Sequence, residues 1–125
     1  MMQKNNDLNI GFVDLEKDIQ SFLNELTKRR TSKREEYTKG SYNGFHNFVV
    51  AANLNNSLPE VECHNFMTKH LVSYLDMIEQ LKNGTTYFPE AVVDEKIGDI
   101  ITYLLLWRSM IRETNGYINQ EELPF

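Results

Sequence analysis

One cysteine, Cys63, is all the sequence holds, so no disulfide can close within the chain and no cysteine zinc site can form. Alternation of apolar and polar residues, the mark of strands, is scarce, which leaves an all-α reading. Proline and glycine are few and scattered, three and six in all, and there is neither a low-complexity segment nor an internal repeat. No apolar run reaches the length of a membrane span, and the stretch from Met1 to Asn9 is too polar for a signal peptide. Positive charge is in deficit. Thirteen Lys and Arg against eighteen Asp and Glu give −5, which argues against a nucleic-acid or membrane partner. These absences together predict a reducing, cytoplasmic setting.

What is present fits one helical domain over residues 1–125, with a loose N-terminus (1–9) and an acidic C-terminal tail (117–125). A chain of this length buries roughly two-thirds of its unfolded surface. Phe12, Leu15, Ile19, Phe22, Leu23 and Leu26 recur every three or four residues, which predicts an amphipathic helix. Lys28, Arg29 and Arg30 suit a helix C-terminus, so its end is expected near Arg30. The run KGSYNGFH (39–46) is loop by composition, and Phe45, Phe48, Val49, Ala52 and Leu54 suggest a short helix after it. Ser57-Leu58-Pro59-Glu60 fits a capping box opening a third helix, which Asn83-Gly84 would close near Lys82. The fourth is expected between Pro89 and Gly116, giving a bundle of four to five helices.

The chain is organised around this last helix. Its run IITYLLLW (100–107) holds one polar residue in eight, too much apolar surface for a single stripe, so cover from several sides is expected. Ahead of it, Glu95 and Asp99 stand at i and i+4, and their carboxylates leave one face a turn apart. Acids aimed at an interior are paired, protonated or holding a cation. A short link makes the third and fourth helices antiparallel neighbours. With the turn near residue 86, Asp99 falls level with Ser73 and Glu95 level with Met77, and His70 lies about one turn beyond. His70, Ser73, Glu95 and Asp99 can then share one pocket. Gly98 weakens the helix, and the close approach of a neighbouring helix or a ligand is the expected compensation.

Each of these residues has a plainer reading. Glu95 and Asp99 can pair with Lys69, Arg34 or Arg30 instead of gripping a metal or phosphate. His70 can be a satisfied core histidine, and the basic cluster from Lys28 to Arg34 can be a solvated helix end. Tyr37, Tyr42, Phe45 and Phe48 can anchor the glycine-rich loop or stack on a base. Asn47 can cap the helix or read a base edge. Trp107 reads as core or interface.

The run from Asp94 to Leu105, DEKIGDIITYLL, resembles the last helix of the MazG-like all-α nucleoside triphosphate pyrophosphohydrolases. Lys33 to Tyr37, the pair Asn47-Phe48, and Glu95 to Tyr103 are closer still to small phage and bacterial nucleotide-modification-associated relatives. The resemblance implies hydrolysis of a (deoxy)nucleoside triphosphate to monophosphate and pyrophosphate by a homo-oligomer. Glu95 and Asp99 would hold Mg²⁺, His70 would contact phosphate or relay a proton, and Lys33 or Arg34 would add charge at the phosphates. Tyr37, Asn47 and Ser73 would complete the substrate site. The family's Glu-Glu-x-x-Glu on the facing helix is missing, and Lys96 stands where a second glutamate is usual. A non-enzymatic helical interaction protein, an inhibitor or a ligand-sequestering protein on the same bundle, is the alternative.

Overall fold

A computed structural model describes residues 8–32 and 44–117. They form four α-helices and no strand: α1 (Phe12–Ser32), α2 (His46–Asn55), α3 (Pro59–Lys82) and α4 (Glu90–Thr114). This is the all-α bundle that the apolar spacing implies. The closest partners are α3 and α4; α2 lies on α3, and α1 reaches α4. No helix among the described residues is long and apolar enough to cross a membrane.

Local chemistry explains most of the boundaries. Pro59 opens α3 in its first turn, where its missing N–H costs nothing. The capping box does not form: the N-cap is Leu58, one residue after Ser57, and no side chain caps it. Gly84, with φ at +102°, makes the left-handed turn after α3 that a side chain would strain. At the end of α2 the same conformation falls to Asn56, φ +51°, the residue type that tolerates it best after glycine. Arg29 and Arg30 sit in the last turn of α1, where the helix dipole favours them, and the helix continues to Ser32.

The core is small. Phe48 of α2, Cys63 of α3 and Met110 of α4 meet at its centre, with Phe45, Tyr103 and Leu106 packed around them. Phe48 touches both neighbours through its ring: Phe66 at 5.3 Å and 57°, Tyr103 at 6.3 Å and 68°. Such tilted and edge-on pairs match ring edge to ring face. On α4 it is the line Asp99, Tyr103, Leu106, Met110 that meets α2 and α3. The expected cover on several sides is therefore incomplete. Leu104, Leu105 and Trp107 stay exposed, Trp107 by 42%.

Gly98 has the compensation expected of it, and the neighbour is α1. A Cβ built there would lie 2.5 Å from Arg29 Nη2 and 2.8 Å from Leu26 Cδ2. Leu26, the buried residue of α1, presses against this notch. Arg29 adds a hydrogen bond of 3.5 Å from Nη2 to the Asp94 carbonyl. The contact fixes where the end of α1 stands over the bundle.

Candidate functional site

Where α2, α3 and α4 converge under the end of α1 there is a cavity of about 500 Å³, within the range of small-ligand sites. Phe48, Phe66, Tyr103 and Leu106 form its apolar wall, and Asn47, Thr31 and Thr102 add polar groups. Arg30 and Lys69 bring the charge, and no carboxylate lines it among the described residues. A shallower cleft of about 330 Å³, lined by Asn65, Phe66, Lys69 and Tyr103, shares residues with it. The local reason is the packing of α2: once Phe48 enters the core, Asn47 beside it faces the opening. Asn47 sits inside α2, whose N-cap is Phe45, so helix capping is not its role.

His70 and Asp99 come together next to Tyr103, a residue of the cavity wall. Nδ1 and Oδ2 are 3.3 Å apart, an ion pair whenever the imidazole is protonated. His70 also stacks on Tyr103, centroids 5.3 Å apart and planes 29° from parallel. The side chains are 16% and 35% exposed, so the pair is partly shielded from water. The antiparallel register thus differs from the expected one by about a turn: His70, not Ser73, stands opposite Asp99. Ser73 turns its hydroxyl back onto the Lys69 carbonyl at 3.1 Å.

Glu95 shares the face of Asp99, one turn nearer the helix start, and is exposed. Lys33, Arg34 and Tyr37 lie outside the described residues. Among the described residues no group of three or more His, Cys, Asp or Glu side chains is arranged to hold a metal ion. Among the described residues the donor set for Mg²⁺ is therefore short of a cage. One carboxylate is engaged by an imidazole, and the other is in solvent.

Sequence reasoning gave no role to Glu62, which is 3% exposed. Its carboxylate accepts hydrogen bonds from the side-chain amides of Asn55 and Asn65, the latter at 3.2 Å. It also sits in the first turn of α3, where the helix dipole favours an anion. Asn65 also lines the shallow cleft. The signal was present in Asn55, Glu62 and Asn65, yet only the turn between α2 and α3 brings them together. Cys63, next along α3, donates to the Tyr103 carbonyl at 3.5 Å. Burial pushes its thiol from 9.0 up to about 11. It is therefore a structural thiol, not a nucleophile.

No family model, curated protein or solved structure matches this chain. The resemblance to the MazG-like group rests on the quoted residues alone.

Proposed function

We propose that the chain binds a nucleotide in the cavity between α2, α3 and α4. The observation that carries this reading is the composition of the wall: three aromatic rings, two cationic side chains and one amide around about 500 Å³. Aromatic surface suits a planar base, Arg30 and Lys69 suit phosphate, and Asn47 can meet a base edge. An anion is favoured because Arg30 and Lys69 line the cavity and, among the described residues, no acid does. Binding draws on Arg30 and Lys69 and needs no divalent ion.

The resemblance extends the reading to a Mg²⁺-dependent triphosphate pyrophosphohydrolase acting as a homo-oligomer. Its support is the placement of Glu95 and Asp99 one turn apart on one face of α4. Because Asp99 is engaged by His70, we assign no catalytic step through a metal, and ligand binding without turnover is the primary reading.

Thermal unfolding of the full chain with nucleosides, mono- and triphosphates, each with and without Mg²⁺, tests both parts. A ligand that binds only the folded chain raises the melting temperature by mass action. Binding predicts a rise that grows with phosphate number, persists in chelator, and shrinks in Lys69→Ala and Arg30→Ala. No rise with any nucleotide refutes it. Pyrophosphate release that needs Mg²⁺ and is lost in Asp99→Asn establishes the hydrolase. Its absence with binding intact establishes the sequestering alternative.

A further inference from the structure

Helix α1 is fastened to the bundle near its end, where Leu26 and Arg29 lie against Gly98 of α4. Ahead of that anchor a cleft of about 420 Å³ remains between α1 and α4. Its floor is apolar: Phe22 of α1 with Ile97 and Ile101 of α4, all half-buried, and Ile19, which is 44% exposed. Four carboxylates line it as well, Asp18 and Glu25 from α1 and Glu90 and Asp94 from α4, and no Lys or Arg does among the described residues. Lys28 pairs with Glu25 at 3.6 Å, both ends well exposed. Arg29 donates to the Asp94 backbone carbonyl, not to its carboxylate. Asp18, Glu90 and Asp94 have no ion pair among the described residues. This cleft is thus opposite in charge to the cavity between α2, α3 and α4, and it suits a different ligand.

Shape narrows the choice of occupant. The lining runs over residues 18–25 of α1 and 90–101 of α4, about 10 and 16 Å at the rise of an α-helix. A groove of two to three turns between helices receives a third helix, whose side chains at i, i+3 or i+4 and i+7 fill an apolar floor. An extended segment has no edge to pair with, because there is no strand among the described residues. Asp18 stands four positions before Phe22 and Glu25 three after it, so both flank that ring on one face of α1. With Glu90 and Asp94 on the other wall, the acids select lysine or arginine beside the apolar seam, as flanking charges do between paired helices. A second copy is a poor occupant. Its α1 would bring Asp18 and Glu25 against the same carboxylates, with −5 on each chain.

We infer that this cleft binds an amphipathic helix of a partner protein, apolar along one seam and flanked by lysine or arginine. The inference goes beyond the proposed function and does not depend on it.

Fluorescence anisotropy with the full chain and three labelled peptides of about 18 residues tests it. The first has leucine at every third or fourth position and lysine between; the second scrambles that order; the third replaces lysine by glutamate. The first is expected to bind at least about tenfold more tightly than either control, and less tightly as salt is raised. Asp18→Lys with Glu90→Lys is expected to weaken it about tenfold or more, and Ile19→Ser to weaken it at unchanged charge. Asp18→Asn and Glu90→Gln serve if the reversal fails to fold. None of these changes should alter the rise in melting temperature with nucleotide, so the two readings fail separately. No binding of the first peptide overturns the inference. Equal binding of the scrambled peptide reduces it to attraction by net charge, and equal binding of the acidic one to apolar adhesion; either overturns it. Binding insensitive to every change in the cleft overturns it too. Self-association that Ile19→Ser abolishes and the first peptide does not overturns it in favour of a second copy.

Discussion

Replacing Gly98 by alanine sets two effects of known sign against each other. Alanine is favoured over glycine inside a helix by about 1 kcal/mol, and Gly98 lies well within α4. Against this, the new Cβ would lie 2.8 Å from Leu26 Cδ2, where carbon atoms rest at about 3.5–4.0 Å. Arg29 Nη2 is closer, at 2.5 Å, but it ends a flexible side chain that can swing aside. Leu26 is buried and cannot. Helix α1 must then retreat by roughly 1 Å, and overpacking of this kind costs about 1–3 kcal/mol. The expected net result is a loss of about 1 kcal/mol in urea unfolding followed by the fluorescence of Trp107, the only tryptophan.

The same substitution changes sign once Leu26 is removed. Leu26→Ala alone should cost about 2–3 kcal/mol. In that background the Cβ has room, and Gly98→Ala should restore about 1 kcal/mol, a coupling of about 2 kcal/mol between the two sites. Arg30 and Thr31 at the cavity belong to the same helix end, so Gly98→Ala should also weaken ligand binding more than its stability cost alone accounts for. Equal effects of Gly98→Ala in both backgrounds, or stabilisation of the wild type, refute the account of the notch.

Two further outcomes follow from buried groups. The Cys63 thiol is held at about 11 in the folded chain against 9.0 ordinarily. The unfolded state therefore loses its proton first, and stability present in full below pH 9 declines by on the order of 2 kcal/mol toward pH 11. Urea midpoints from pH 8 to 11 should show this decline as an excess over Cys63→Ala, and parallel curves for the two proteins refute it. Glu62→Gln should cost about 1–2 kcal/mol, because one of the two asparagine amides then faces another N–H donor. Chemical denaturation measures it, and a stabilised Glu62→Gln shows the buried charge to outweigh its two hydrogen bonds.

Sequence pattern located the helices because it records contacts within one turn. Pro59, Asn83-Gly84, Pro89 and Gly116 are local signals, and α3 and α4 begin and end within a residue or two of them. The meeting of His70 with Asp99 is one step harder, since it depends on the tilt and phase of two helices joined by a short link. Counting back from the turn put Asp99 opposite Ser73, three positions from His70, about the error that an unknown crossing angle introduces. Contacts among three helices lay beyond such counting. The cavity needs the end of α1 above α2 and α4, and Arg30 and Lys69 show in the sequence only as charge on two separate helices. Glu62 was hidden for the opposite reason: a glutamate in the first turn of a helix is ordinarily a surface residue, and burial by the preceding turn leaves no periodic trace.

The distribution of charge decides how the site is to be understood. Had both Glu95 and Asp99 faced the cavity, two negative charges would stand against Arg30 and Lys69, and a phosphate would need a cation beside it. Instead Glu95 is in solvent and one oxygen of Asp99 lies against His70, while Arg30 and Lys69 remain in the lining. On the proposed reading, Arg30 and Lys69 offset part of the charge of a triphosphate without a metal, with the base against Phe48, Phe66 and Tyr103. A divalent ion at Asp99 would share that carboxylate with the imidazole, because only Oδ2 lies against His70 Nδ1. Metal-dependent chemistry and the His70–Asp99 contact thus meet on one side chain, and Asp99→Asn would disturb both.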